Sequence, residues 1–349
     1  MNANSKRFLG IGLFVGALFL SSVQAGLSFA EEPAAPTTQE VVAAIKRRAQ
    51  QILAERRKAR QLRFSGEVSQ GISYEKNPAN AAERNGDGYS EETLSLNFSK
   101  KLTPTITWQG SYYGSFDNYF EYRDGTYTSQ TLTPGKLIWQ PGRMWRADAG
   151  VDLGDTWYPS SSPSNYRELK PSIGVRQNLW GKWFHATRYE WFIRHYISKR
   201  ARDGAGVETL TAREDTRHRF RYEAGTTWKD ALFKVKNEWY LHDSNDARQD
   251  FYDAGDYKMT ASLNRPITQK LSANASYAFE RKNYKHRQVS GITAESRYDN
   301  TQTWTLSGAY DFSKTWSLGS SFSHTSLNSN DPTGDYVDWT ASTSLTARF

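Results

Sequence analysis

Arginine recurs at every second position between Arg217 and Arg221, with Arg219 in the middle. In an extended strand, alternate side chains point to the same side, so the three guanidinium groups would form a ladder along one face. A guanidinium carries a fixed positive charge and several hydrogen-bond donors in one plane, which suits carboxylate and phosphate groups. The spacing therefore predicts a positively charged ladder along one face of the strand.

Nearby segments repeat this pattern with acidic residues interspersed, since Lys234 and Lys236 alternate before Glu238. Together these charged residues form a basic sector, for which two interpretations are open. Either its positive charge favours anionic solutes, or its basic and acidic side chains pair across neighbouring strands and stiffen the sheet. The basic members that we predict are Arg146, Arg176, Arg188, Arg194, Arg217, Arg219, Arg221, Lys234 and Lys236. The acidic members are Glu190, Glu223 and Glu238.

Catalytic and metal chemistry find little support in the sequence. A hydrolase needs a nucleophile beside a base that a third group orients. His242 lies next to Asp243, but adjacent residues on a strand point to opposite sides. The sequence has no metal-ligand spacing, phosphate-binding loop or glycine-rich cofactor motif. We therefore predict no enzyme activity, no catalytic residue, no metal and no cofactor.

The elements that would position the ladder are strands, because the sequence alternates apolar and polar residues from residue 63 onward. Leu94, Leu96 and Phe98, for example, alternate with Ser95 and Asn97. This period of two predicts strands with one apolar and one polar face. The predicted strands are 63–75, 91–102, 105–116, 128–140, 143–153, 167–180, 182–198, 215–228, 231–243, 256–265, 270–283, 300–312, 315–326 and 335–349. The fourth is the weakest of them, since Pro134 and Gly135 interrupt it.

The connections between these strands alternate in length. Short turns such as 141–142 and 313–314 alternate with longer polar loops, of which 76–90, 199–214 and 284–299 are examples. Membrane barrels show this alternation because their periplasmic turns are tight and their outer loops are long. The predicted fold class is therefore all-β: a transmembrane antiparallel up-and-down β-barrel of about 14 strands, preceded by a short N-terminal helix.

The composition agrees with a barrel that has a polar inside. Only 37% of the 349 residues are hydrophobic, yet 14% are aromatic, which excludes an intrinsically disordered chain. A soluble propeller would show self-similar blades of about forty residues, and none occurs. Cysteine is absent, so no disulfide holds the fold. The net charge of +8 is compatible with nucleic-acid binding, but an exported chain would not meet nucleic acid.

The N-terminus predicts export. Lys6 and Arg7 precede an apolar run at 8–20, and small residues follow up to Ala25, as in a cleaved signal peptide. The run is shorter than the roughly 20 apolar residues of a membrane-spanning helix. We predict a signal peptide at 1–25, with cleavage after Ala30 as the alternative, and the barrel domain at 63–349.

Between these two parts, residues 31–62 predict a linker and a strongly basic helix at 37–62. Thr37 and Glu40 have the spacing of a capping box, and apolar residues then recur at three- and four-residue steps. Three interpretations stay open: a solvated periplasmic helix, a plug inside the barrel, or a dock for a periplasmic protein or an anionic cell-wall polymer.

The last predicted strand carries a resemblance to a known family. Its alternate residues are Trp339, Ala341, Thr343, Leu345, Ala347 and Phe349. This pattern resembles the C-terminal signal of Gram-negative outer-membrane proteins, which implies that the barrel-assembly machinery reads Trp339, Leu345 and Phe349. The size and strand number are similar to those of monomeric fourteen-stranded porins. A helix before a barrel also resembles surface-lipoprotein assembly modifiers, but their tetratricopeptide repeats are missing.

From these observations we expect an outer-membrane channel for passive diffusion of small polar or anionic solutes, with outer-membrane lipids as its surroundings and no nucleic-acid partner. An even strand number would leave both termini in the periplasm. The alternatives are an export or assembly barrel for a polymer or surface lipoprotein, which uses the 37–62 helix as contact or plug, and a structural or adhesive surface protein.

Overall fold

The computed structural model shows a closed antiparallel β-barrel in which each strand pairs with its neighbours in sequence, and β14 pairs with β1. It describes residues 46–48, 50–51, 61–77, 86–161, 164–179, 182–203, 205–247, 254–289, 292–331 and 334–349. The fourteen strands are β1 Arg63–Glu75, β2 Asp87–Lys101, β3 Ile106–Tyr119, β4 Tyr127–Trp139, β5 Trp145–Trp157, β6 Tyr166–Asn178, β7 Trp183–Arg202, β8 Glu208–Trp228, β9 Ala231–Ser244, β10 Ala254–Pro266, β11 Leu271–Val289, β12 Ile292–Asp311, β13 Trp316–Ser329 and β14 Tyr336–Arg348. The predicted fold class and strand number are confirmed.

The outer face of the barrel is an apolar band between two rows of exposed tryptophans. At the short-turn end the row contains Trp139, Trp145, Trp183, Trp228 and Trp316. At the long-loop end it contains Trp157, Trp191, Trp239 and Trp304. Tryptophan is enriched at both edges of a bilayer, where one part of its ring meets hydrocarbon and the other meets water. The two rows therefore mark the borders of a membrane-spanning band.

Before the barrel, residues 46–48, 50 and 51 are helical and exposed. The predicted signal peptide, its cleavage sites and most of the predicted 37–62 helix lie outside the described residues. Residues 61–62 are described and are not helical, so the helix ends earlier than predicted. Among the described residues, no helix combines the length and the apolar composition needed to cross a membrane.

Several strands are longer at the long-loop end than the sequence predicts. Residues 199–214 and 284–299 were expected to be loops, yet most of them extend the hairpins β7–β8 and β11–β12. β2 begins four residues earlier than expected, at Asp87, and β3 continues to Tyr119. These extensions carry polar residues on both faces, so the alternation that reveals a strand in contact with lipid is missing there.

The extended hairpin β11–β12 is held by a buried arginine beyond the apolar band. Arg297 donates from Nε and Nη2 to the Asp299 carboxylate at 2.8 and 3.0 Å, and its Nη1 lies 3.6 Å from Asp331. The Tyr284 hydroxyl donates to the same Asp299 at 3.1 Å. Burial, together with the nearby Asp299 charge, raises the pKa of Tyr284 to about 12. The hydroxyl is therefore protonated at physiological pH and can donate this hydrogen bond.

β4 accommodates Pro134 through a bulge. Leu132 pairs with Leu153, but Gly135 pairs with Val151, so the register shifts between them. Proline has no amide N–H to donate, and strands tolerate it at such irregular positions. The shift changes which residues face inward, from Thr133, which donates to Asp152, to Lys136, which lies 3.2 Å from Asp148.

The seam between β1 and β14 closes the barrel around a glycine. Gly66 and Phe349 exchange two backbone hydrogen bonds of 2.9 Å. The Phe349 ring lies over Gly66, so closely that a Cβ atom there would come within 2.6 Å of the ring carbon Cζ. The same ring contacts Phe64, with centroids 6.1 Å apart. Gly66 therefore leaves the space that this aromatic contact needs.

Substitution Gly66→Val tests the seam. Valine is a good strand former, but its side chain would overlap the Phe349 ring, and overpacking of this kind costs about 1–3 kcal/mol. We expect that loss in the free energy of unfolding, measured by urea titration of the barrel in lipid vesicles. Gly255→Val is the matched control, because a Cβ atom at Gly255 meets nothing within 4 Å. Equal losses in both variants would contradict the role of the seam.

Candidate functional site

The nine predicted basic residues and three predicted acidic residues share the face opposite the exposed apolar side chains of β5 to β9. On β7, for example, Trp183, Tyr189 and Trp191 are exposed outward, while Arg188 and Glu190 lie between them in the alternation. The closed sheet turns this second face toward the lumen. Their part in solute passage stays a prediction.

The most buried part of this wall is centred on Glu238, which is only 1% exposed. Arg221 Nε lies 3.0 Å from one of its carboxylate oxygens, Lys236 Nζ lies 2.8 Å from the other, and Arg219 Nη1 is 3.7 Å away. Arg219 also binds Glu190 on β7, and Arg221 reaches the same carboxylate at 3.5 Å. Three cations and two carboxylates thus form one network across β7, β8 and β9.

Further carboxylates neutralise other members of the basic sector. Glu168 on β6 binds Arg194 at 3.1 Å, and Glu223 lies 3.6 Å from Lys234. Asp148 on β5 binds Arg188. Sequence reasoning did not include Asp148 and Glu168, because only the strand register shows which carboxylate lies beside which arginine.

Three arginines of the sector have no carboxylate within 4.0 Å among the described residues: Arg146, Arg176 and Arg217. Two of them pack on aromatic rings instead. The Arg176 guanidinium lies 3.8 Å from the centroid of Phe184, and that of Arg217 lies 4.1 Å from Phe192. A cation over an aromatic ring is stabilised without being neutralised. These arginines therefore keep their positive charge available to the lumen.

Within the basic sector, like charges lie directly opposite each other in two register pairs. Arg146 pairs with Arg176 across β5 and β6, and Arg188 pairs with Arg221 across β7 and β8. Like charges at opposed positions destabilise a sheet. A wall built only for stability would avoid both pairs.

Small cavities lie between these side chains. One of about 190 Å³ is lined by residues that include Arg146, Arg176, Arg188 and Glu223. Another of about 190 Å³, toward the long-loop end, is lined by residues that include Arg194, Arg217 and His242. Each contains at least one arginine that lacks a carboxylate partner, together with carboxylates of the wall such as Glu223 in the first and Glu168 in the second.

His242 has a partner that its sequence neighbourhood does not suggest. Its Nε2 lies 2.7 Å from Asp256 Oδ2 on β10, whereas Asp243 belongs to the outward face. The His242–Asp243 combination considered from sequence is therefore not formed. The described part of the chain contains no group of three acidic, histidine or cysteine residues placed to hold a metal ion.

The phenylalanines under the arginines escaped sequence reasoning. Phe184 and Phe192 are buried, and both belong to the face that carries Arg188 and Arg194. The sequence did hold one indication of their orientation: both phenylalanines occupy even positions of β7, whereas the outward-facing residues of this strand occupy odd positions.

The residues of the predicted assembly signal lie on the outer face: Trp339 packs against Tyr74 with centroids 5.1 Å apart, and Leu345 and Phe349 are exposed.

The network makes a stability prediction. Glu238→Gln would leave Arg221 and Lys236 without their buried carboxylate, and removing one partner of a buried ion pair costs about 3–5 kcal/mol. We expect a loss of that order in unfolding free energy by urea titration. Lys234→Gln is the control, because its longer and more exposed pair with Glu223 should contribute less than about 1 kcal/mol. A Glu238→Gln barrel as stable as the control would contradict the assignment.

Comparisons with known proteins give a fold but no family. No protein-family model and no curated protein matches the sequence. The outer-membrane channel DcaP of Acinetobacter baumannii is similar in structure, with a TM-score of 0.51 and 9% identity over 83% of this chain and 97% of that chain. OmpT of Vibrio cholerae follows with a TM-score of 0.48 and 10% identity, over 82% of this chain and 97% of its own. An anion-selective porin from Comamonas acidovorans has a TM-score of 0.43 and 9% identity, over 83% of this chain and 99% of its own.

At such low identities only the fold is comparable, and it agrees with the closed sheet and its two tryptophan rows. The chain therefore has the fold of a bacterial outer-membrane β-barrel.

Proposed function

We propose that this protein is an outer-membrane channel through which small polar or anionic solutes diffuse passively along a basic wall. The observation that carries the proposal is that Arg146, Arg176 and Arg217 have no carboxylate partner among the described residues. Rings or ladders of arginine and lysine in a pore favour anions. DcaP, which shares this fold, is itself an outer-membrane channel.

Cross-strand pairing alone does not account for the sector. Pairing explains Glu190, Glu223 and Glu238, which bind cations on neighbouring strands. It does not explain the opposition of Arg146 and Arg176, which raises the energy of the empty barrel. An anionic solute beside both guanidinium groups would offset that repulsion. The paired part of the wall stiffens the barrel, and the unpaired part meets the solute.

Other parts of the lumen suit polar solutes in general. A cavity of about 740 Å³ lies among residues of β1 to β7, and its lining combines the neutral groups of Asn97 and Gln109 with charged side chains such as Lys136, Asp152 and Arg188. On the far side, Ser321 and Ser342 bond at 2.7 Å, and Thr303 and Thr325 at 3.2 Å. The neutral hydroxyls of this far side provide hydrogen bonds without a strong field of their own.

The same proposal includes the position of the protein in the bacterial cell envelope. The barrel-assembly machinery would recognise Trp339, Leu345 and Phe349, the outer face would contact membrane lipids, and both termini would lie in the periplasm. The basic segment 37–62 would then reach a periplasmic protein or a cell-wall polymer.

Ion selectivity in planar bilayers tests the proposal. Replacing Arg146, Arg176 and Arg217 together by glutamine should shift the chloride-to-potassium permeability ratio toward cations in 0.1 M salt. The shift should shrink in 1 M salt, where the Debye length falls to about 3 Å. The control replaces Lys101, Lys229 and Lys314 by glutamine, which removes the same charge from exposed positions at the short-turn end.

Equal ratios in the two triple variants would contradict the basic-wall proposal. A barrel that conducts only after deletion of residues 37–62 would instead favour a plugged exporter. No conductance in either form would exclude a channel.

A further inference from the structure

A second charged wall lies across the lumen from the basic one. Glu75 ends β1, Glu91 lies on β2, Asp117 on β3 and Asp338 on β14, and all four are near the long-loop end. Glu91 and Asp117 are directly paired in the β2–β3 register. In the closed order, these strands are about half a turn of the barrel away from β7 to β9, so the two walls face each other.

These carboxylates lack positively charged partners. Among the described residues, no lysine, arginine or histidine forms an ion pair with any of the four within 4.0 Å, in contrast to the carboxylates of the basic wall. Asp117 is only 9% exposed and Asp338 only 7%. The Oδ1 atom of each is buried without a hydrogen-bond partner.

A carboxylate removed from water without compensation is costly, so it must acquire a proton or a cation. A metal ion fits poorly, because the described residues contain no group of three acidic or histidine side chains placed to bind one. An organic cation fits better, because it spreads its charge over several atoms and can contact carboxylates that do not converge on one point.

Tyrosines complete the surroundings of this wall. Tyr127 lies directly opposite Asp117 in the β3–β4 register, and the Tyr119 hydroxyl donates to Glu75 at 2.7 Å. Tyr113 lies on the same face of β3 as Asp117, four residues before it along the strand, and is 42% exposed. An exposed aromatic ring attracts guanidinium and ammonium groups through its negative face.

We propose that Asp117, Glu91 and the Tyr113 ring, with Glu75 and Asp338 beside them, bind the guanidinium or alkylammonium group of a solute at the long-loop end of the lumen. The site goes beyond the proposed anion preference, because it adds a position for positive charge. A solute with a cationic and an anionic end would engage both walls.

Isothermal titration calorimetry of the full barrel in detergent micelles tests the site, with n-butylguanidinium chloride as the probe. We expect saturable binding that Asp117→Asn and Asp338→Asn each weaken about tenfold or more, as expected for loss of a hydrogen bond to a charged group. Tyr113→Phe should retain binding, since it keeps the ring, whereas Tyr113→Leu should weaken it. Asp311→Asn is the control, because Asp311 lies at the short-turn end and binds Arg348 at 2.9 Å.

Several results would overturn the proposal: no saturable heat with the wild-type barrel, equal affinities in Asp117→Asn and Asp311→Asn, or Tyr113→Leu binding as well as Tyr113→Phe. Calcium binding at micromolar concentration that Asp117→Asn abolishes would also overturn it, by identifying a metal site. Slower migration of the heated than of the unheated barrel in electrophoresis checks that each variant is folded. Calorimetry does not require conduction, so failure of the channel proposal leaves this test intact.

Discussion

A chain that crosses hydrocarbon finds no water there to satisfy its amide and carbonyl groups, so each of these groups must bond within the protein. A sheet meets this demand only when it has no free edge. In this barrel the requirement falls on the junction of β1 and β14, where nine register pairs run from Glu67–Arg348 to Glu75–Thr340. Gly66 and Phe349 extend that junction by one more backbone pair at the short-turn end. The rest of the structure depends on this closure.

Closure also decides what the side chains do. Once the sheet is a cylinder, one face of every strand contacts lipid and the other is enclosed. Apolar and aromatic residues occupy the first, and charged residues can then concentrate in the second, where burial of groups such as Glu238 strengthens their interactions. The enclosed face is not uniform. A network around Glu238 is nearly neutral, arginines on aromatic rings retain their charge, and an acidic face with tyrosines lies opposite.

The sequence was informative wherever a strand contacts lipid. The alternation of Leu94, Leu96 and Phe98 with polar neighbours is a local property, so fourteen strands could be counted without a structure. It was less informative where a strand leaves the membrane, because polar residues then occupy both faces. Asp117 and Tyr119 were placed outside the predicted strands for that reason, so the pairing of Asp117 with Glu91 was not predicted. Counterions such as Asp148 were missed because pairing depends on register, which the bulge at Pro134 shifts by one residue.

The absence of cysteine from the sequence allows a direct test of the alternation itself. Single cysteines can be introduced one at a time at the six consecutive positions 217–222 of β8, and the barrels placed in lipid vesicles with a charged, membrane-impermeant maleimide. The account predicts rapid labelling at 217, 219 and 221 and protection at 218, 220 and 222. Equal labelling at odd and even positions would contradict a strand with one face in water and the other in lipid.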